Sequence, residues 1–282
     1  MTAFGRRSFR QLWATTAALA VVLSGCGAPA PEPTTAQATS LPSALGSGLP
    51  GPGSGEVPAP AQRSPSPAGS PVATAAARGD DADAYADPSA ITVVVNKRRP
   101  LNPVDYAPSE LVLPDVALAV DRANAMLRPD AANAVEEMFA AAADDDVVLT
   151  LVSGYRSYAV QADTYNYWVS LNGSAEDADN YSARPGFSEH QTGLAFDIGQ
   201  GDGACTLRGC FGDTAAGIWA ANNAHEFGFI LRYPEGRQET TGFLAESWHF
   251  RFVGIETAAS MRADGTETLE DHVGLSNAPD YG

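Results

Sequence analysis

Phe229-Ile230-Leu231-Arg232-Tyr233-Pro234 and, a short distance on, Trp248-His249-Phe250-Arg251-Phe252-Val253 decide the fold. Both runs are rich in aromatic and β-branched residues and too brief for helices, so each reads as a strand, the first entering a turn at Pro234. The short connection between them suits antiparallel neighbours. Working outward, residues 194–198 read as a further strand, residues 214–227 as a helix ended by Gly228, and residues 255–262 as a final helix. Earlier in the chain, residues 147–152 read as a strand. Val135, Met138, Phe139 and Ala142 recur at helical spacing within residues 129–143, with Pro129 suited to a first turn. Tyr158, Gln161, Ala162, Tyr165 and Trp168 mark another helix, and the β-branched run 91–95 a first strand that turns at Lys97-Arg98-Arg99-Pro100. Strands interleaved with helices predict a single α+β domain over residues 89–282, a mostly antiparallel central sheet flanked by helices.

Upstream the composition changes. Residues 27–88 are rich in Pro, Ala, Ser and Gly without periodicity, and are expected to form a disordered tether. Before them, Arg6, Arg7 and Arg10 form a positive segment. An uncharged apolar segment, too short to span a bilayer, runs over residues 12–23, and Leu23-Ser24-Gly25-Cys26 closes it. This arrangement resembles a bacterial lipoprotein signal, which implies export and a membrane anchor through a lipidated Cys26. Arg6-Arg7-Ser8-Phe9 also partly resembles a twin-arginine signal, and both export routes stay open. With 17 basic against 34 acidic residues, a net charge of −17, the chain has no basic surface for nucleic acid.

Of four histidines, at 190, 225, 249 and 272, two stand beside acidic residues in stretches dense in glycine and aromatics. His190 and Asp197 lie in Ser188-Glu189-His190-Gln191-Thr192-Gly193-Leu194-Ala195-Phe196-Asp197, and Glu246 and His249 in Glu246-Ser247-Trp248-His249. Two imidazoles and a carboxylate make a tetrahedral zinc set whose fourth position stays open for water, the catalytic arrangement. A second carboxylate could then move that water's proton. Glu246 fits this role only if the backbone turns between it and His249. Cys205 and Cys210, so close together in an exported chain, are expected to form a disulfide that shapes the segment after Asp197.

Several motifs occur in a fixed order: Ser153-Gly154-Tyr155-Arg156-Ser157 with Gln161, then residues 184–197, then Gly228-Phe229-Ile230-Leu231-Arg232-Tyr233-Pro234, then Glu246-Ser247-Trp248-His249-Phe250-Arg251. Together, over roughly residues 147–254, they resemble the VanY-type D-alanyl-D-alanine carboxypeptidases, zinc peptidases of the M15 group. The resemblance implies one Zn²⁺ held by His190, Asp197 and His249, with Glu246 as catalytic base. It places Arg156 near the scissile bond and makes Gln161 and Ser188 substrate contacts. The implied reaction removes the terminal D-alanine from peptidoglycan stem peptides. L,D-carboxypeptidase or endopeptidase action on the same scaffold, or a non-catalytic wall-binding module, are the alternatives, and the intact ligand set favours catalysis. The sequence departs from many relatives at Ser247, where they carry proline. A serine carboxypeptidase is disfavoured because Lys97, the only lysine, has Val94 rather than serine three residues before it. The strong acidity also argues against electrostatic adhesion to anionic wall polymers, and the enzyme is expected to act as a monomer.

Other prominent residues take plainer readings. His225 sits at a helix end as a cap, and His272 at the surface. Tyr155, Trp168, Trp219 and Trp248 read as core, with Trp248 and Tyr233 able to wall the pocket. Asp144, Asp145 and Asp146 read as a solvated loop. Glu189 either orients His190 or lines the cleft.

Overall fold

The computed structural model describes residues 82–282. The expected export signal, Cys26 and most of the expected tether lie outside these residues. The tether's expected end at residue 88 lies inside them. There Ala82–Tyr85 forms a 3₁₀ turn whose Tyr85 carbonyl accepts the Val94 amide at 3.0 Å, so ordered structure begins before residue 89.

In chain order the elements are α1 (Pro129–Asp144), β1 (Leu149–Ser153), α2 (Tyr158–Asn172), α3 (Ala175–Ala178), β2 (Ala195–Gln200), α4 (Ala215–Asn223), β3 (Phe229–Tyr233), α5 (Gln238–Thr241), β4 (Glu246–Phe252), α6 (Ile255–Asp264) and α7 (Leu269–Val273). The four strands form one antiparallel sheet in the order β1-β2-β4-β3, the α+β architecture expected. Pro129 opens α1, whose buried positions include Val135, Met138, Phe139 and Ala142. Ser157 caps α2 by accepting the Val160 amide at 3.2 Å, and Gly173 ends that helix in the left-handed region. The helix expected over 214–227 is divided: α4 stops at Asn223, and a 3₁₀ turn over Ala224–Phe227 carries the chain to Gly228.

Residues 91–95 are not a strand. Val93, Val94 and Val95 are buried, which explains the apolar run. However, the Ile91 and Val93 carbonyls accept the Arg251 guanidinium, at 3.1 and 2.6 Å, where strand neighbours would bond them. The β-branched pattern reports burial, and the ladder partners a strand needs are replaced by a side chain.

Side-chain alternation gives the sheet two unlike faces. Phe196 pairs with Phe250, Leu151 with Ile198, and Phe229 with Phe252, and these side chains join α1 and α4 in the main apolar core. Each such phenylalanine contributes roughly 1.5–3 kcal/mol by burial. The other face carries Asp197, His249, Arg251 and Arg232. A smaller cluster of Val94, Ile230, Val253, Ala258, Met261 and Leu269 seals its far end.

Candidate active site

Asp197 and His249 are directly opposed across the β2–β4 ladder, so the sheet itself sets their separation. His190 comes from the 3₁₀ turn Glu189–Thr192, which ends at Gly193 with φ 70° and returns the chain into β2. His190 Nε2 lies 3.3 Å from Asp197 Oδ2, and His249 Nδ1 lies 3.0 Å from Asp197 Oδ1. The two rings meet edge to face with centroids 4.9 Å apart. All three side chains are buried, and their ligand atoms lie within 4.8 Å of one another.

Each imidazole is fixed from behind. His190 Nδ1 donates to the Gly154 carbonyl at 2.7 Å, which leaves Nε2 for the cluster. Gly154 reaches that position because it lacks a side chain: a Cβ there would stand 2.7 Å from the Met126 carbonyl oxygen. A bulge in β1, two residues from Leu151 to Ser153 against one step on β2, delivers the carbonyl. His249 uses the opposite nitrogen. Its Nε2 faces Glu189 Oε2 at 3.4 Å, which leaves Nδ1 for the cluster. Two imidazole nitrogens, each ring oriented by a hydrogen-bonded partner, and a carboxylate oxygen are a donor set that fits zinc once His249 has lost its proton.

Charge is distributed unevenly over these groups. Burial, with Arg156 nearby, pushes His190 down to about 4, a neutral ligand at physiological pH. Burial also works against charge on His249, but hydrogen bonds to Asp197 and Glu189 outweigh it and hold the imidazole up at about 9. For Asp197 burial is overcome by both histidines, which keep the carboxylate below its usual range. Burial raises Glu246 to about 7, the value of a group able to exchange protons near neutrality.

Glu246 and His249 are three apart on β4 and would face opposite ways on a regular strand. Two residue steps of β3, from Leu231 to Tyr233, span four of β4, from Phe250 to Glu246. This wide bulge turns the strand so that Glu246 Oε2 comes within 3.8 Å of His249 Nδ1. The condition on Glu246 is therefore met by a bulge inside a strand. Ser247 lies in the bulge with its hydroxyl buried and without a hydrogen-bond partner.

Arg156 enters from the loop before α2, its Nη2 3.7 Å from Asp197 Oδ2. Gln161 is not a solvated helix residue: it is buried, its Oε1 accepts Arg156 Nη1 at 3.1 Å, and its own amide donates to the Ala183 carbonyl at 2.7 Å. Arg156 Nε is buried with no hydrogen-bond partner. Tyr233 covers His249 ring on ring at 4.9 Å, and Ser188 makes no capping bond in its own turn. All of these line a cleft of about 570 Å³ with His190, Asp197, Glu246 and His249.

The cleft bears out some of the other expectations and corrects others. Trp219 is core, but Trp168 lines the cleft, stacked on half-exposed Tyr181 at 5.3 Å and 8°. Trp248 lines it too. Cys205 and Cys210 are bonded, with Cα atoms 5.6 Å apart, and the loop between them presents Leu207, Arg208 and Gly209 to the cleft. Asp145 is exposed but accepts the Trp219 indole N–H at 2.7 Å. His225 and His272 lie in the last turns of short helices, outside the cluster. Glu189 is among the residues lining the cleft, as one of its two readings had it, but it faces His249 rather than His190 and is paired with Arg232 at 2.8 Å and Arg251 at 2.9 Å. Arginines flanked by aromatics in buried strands require carboxylate partners, a signal that calls for a partner without naming which residue it is.

A family model described as VanY, D-alanyl-D-alanine carboxypeptidase, matches residues 124–255. Over 195 residues the chain is 40% identical to the putative carboxypeptidase YodJ of Bacillus subtilis (strain 168), covering 68% of this chain and 70% of the relative. Among solved structures, that of the LdcB LD-carboxypeptidase is similar at 40% identity and a TM-score of 0.62, over 67% of this chain and 88% of that one. A mutant of the vancomycin resistance D,D-pentapeptidase VanY, in complex with Zn(II), is similar at 29% identity and a TM-score of 0.53, over 64% and 97%.

Proposed function

Given that the chain belongs to the VanY family of D-alanyl-D-alanine carboxypeptidases, we propose that it is a zinc enzyme removing the terminal D-alanine from peptidoglycan stem peptides. The observation that carries this reading is a buried His-Asp-His cluster sharing one cleft with a proton-exchanging glutamate and an arginine donor without a partner. Zinc, held by His190 Nε2, Asp197 and His249 Nδ1, would supply Lewis acidity at the scissile carbonyl and acidify the attacking water.

The rest of the chemistry falls to the chain. Glu246 takes the proton of the water that adds to the carbonyl carbon. It returns that proton to the amine nitrogen as the C–N bond breaks, which releases D-alanine and leaves a new carboxylate. Arg156, held by Gln161, donates to the substrate carboxylate or to the oxyanion that forms on addition. Tyr233, Trp248 and Ser188 wall the site.

The family model favours D,D-cleavage of a pentapeptide stem. A second reading, L,D-cleavage of a tetrapeptide, is favoured by the likeness to the LdcB structure. Both expel D-alanine and differ in the residue on the other side of the bond. Export and anchoring of a monomeric enzyme through a lipidated Cys26, with the tether spacing the domain from the membrane, complete the proposal. Lipid addition is checked by the mass of the protein extracted from membranes.

The test incubates the purified chain with pentapeptide and tetrapeptide muropeptides, with and without chelator, and measures D-alanine. Chelator-sensitive release, lost in Glu246→Ala, supports the chemistry, and the preferred peptide decides between the two cleavages. A folded, zinc-loaded chain that releases D-alanine from neither overturns the reading.

A further inference from the structure

Four charged side chains with no exposure lie behind the candidate metal site: Glu189, Arg232, Arg251 and Glu270. Glu189 Oε1 accepts from Arg232 Nε at 2.8 Å and from Arg251 Nη1 at 2.9 Å, while Oε2 faces His249 Nε2 at 3.4 Å. Arg232 turns its other two nitrogens to Glu270, at 2.9 and 2.6 Å, a two-point pairing. Glu270 is held in turn by the Asn96 amide at 2.9 Å. Arg251 sends its remaining donors to backbone carbonyls. Two positive and two negative charges balance, and every nitrogen of both guanidinium groups is hydrogen-bonded.

Burying four charges is costly, and packed apolar side chains of similar volume often serve stability as well or better. The arrangement therefore calls for a reason other than stability. With Oε1 committed to two guanidinium groups, Glu189 has one free direction, and it points at the back of His249. We propose that Glu189 is a positioning residue that holds His249 with Nδ1 toward the metal, and that Glu270 sets Glu189 through Arg232. Glu270 and Asn96 lie outside residues 124–255, so part of what orients the ligand comes from chain beyond the family match. The two glutamates nearest His249 thereby divide the work. Glu246 opens on the cleft and is free to move a proton; Glu189 is tied down and orients.

This inference rests on the zinc reading, and its test separates the two. Zinc dissociation constants are measured on the full chain by chelator competition, with the visible spectrum of the cobalt(II)-substituted protein reporting ligand geometry. Glu189→Gln keeps the shape but loses the charge that fixes it. It is expected to weaken zinc binding by about 10–100-fold and to shift the cobalt spectrum. Glu270→Gln is expected to act in the same direction and more weakly, and the exposed control Glu137→Gln to do nothing. A purely structural role would lower the melting temperature and leave the zinc affinity of the folded protein unchanged, and that result overturns the proposal. If Glu189→Gln does not fold, Glu270→Gln decides, with zinc affinity equal to the parent's counting against it. The unsubstituted, zinc-loaded chain gives a further reading by nitrogen-15 spectroscopy. A slowly exchanging His249 Nε2–H supports the proposal, and an Nδ1–H tautomer refutes it. Failure of the parent chain itself to bind zinc would reject the zinc reading instead.

Discussion

His249 shows how much one residue's surroundings decide. Held up at about 9 by Asp197 and Glu189 against the cost of burial, it is protonated in the metal-free protein at neutral pH, yet it must lose that proton to act as a ligand. Zinc uptake at pH 7.5 is therefore expected to release about one proton from this imidazole, and apparent affinity to rise roughly tenfold per pH unit up to about 9. Competition titrations in a pH series check this; an affinity flat between pH 7 and 9 would contradict it. The same raised value stabilises the metal-free fold fully below the ordinary histidine range, and that contribution is lost as pH climbs through about 9. His190, Asp197 and His249 could be singled out in the sequence because their motifs are local. Glu189 could not, since its partners stand at positions 232, 249, 251 and 270, and no spacing rule links them.

Elements, more than single residues, explain why the sequence yielded some features and hid others. The helix over 129–143 and the strand over 229–233 follow from periodicity and from apolar runs bounded by turn residues, and both stand in the structure nearly as expected. The β4 bulge leaves no such pattern, because it exists only relative to the register of β3, and so the sequence could state the requirement on Glu246 without showing how it is met. Trp168 sits at helical spacing on α2 and looked like core for that reason. The loop closed by Cys205 and Cys210 has a testable role of its own. Cys205 and Leu207 adopt φ of 58° and 52°, a conformation side chains rarely take, and the crosslink holds them there at the cleft wall. Replacing both cysteines with serine should cost about 2 kcal/mol of stability by chain entropy. Since the loop holds no reacting group, KM should rise several-fold while kcat stays within about twofold. Thermal melts and steady-state kinetics measure both, and a selective fall in kcat would show that the loop does more than line the cleft.

At the scale of the whole molecule, a net charge of −17 repels anionic polymers over distances set by salt. Raising ionic strength from about 0.01 M to 0.15 M shortens the screening length from about 30 Å to 8 Å. Release of D-alanine from wall material rich in anionic polymers should accelerate several-fold over that range, and release from soluble muropeptides should hardly change. Equal salt responses would show that the net charge has no bearing on access to substrate. The distribution of supporting contacts along the chain matters as well. Asn96 and Glu270, 174 positions apart, are hydrogen-bonded behind the candidate metal site, and the Tyr281 hydroxyl accepts the Arg184 amide at 2.8 Å. Closures over such distances come late in folding. A nascent chain emerging from its N-terminus thus carries His190, Asp197 and His249 before Glu270 exists, and the contacts behind them are complete only once synthesis has passed α7.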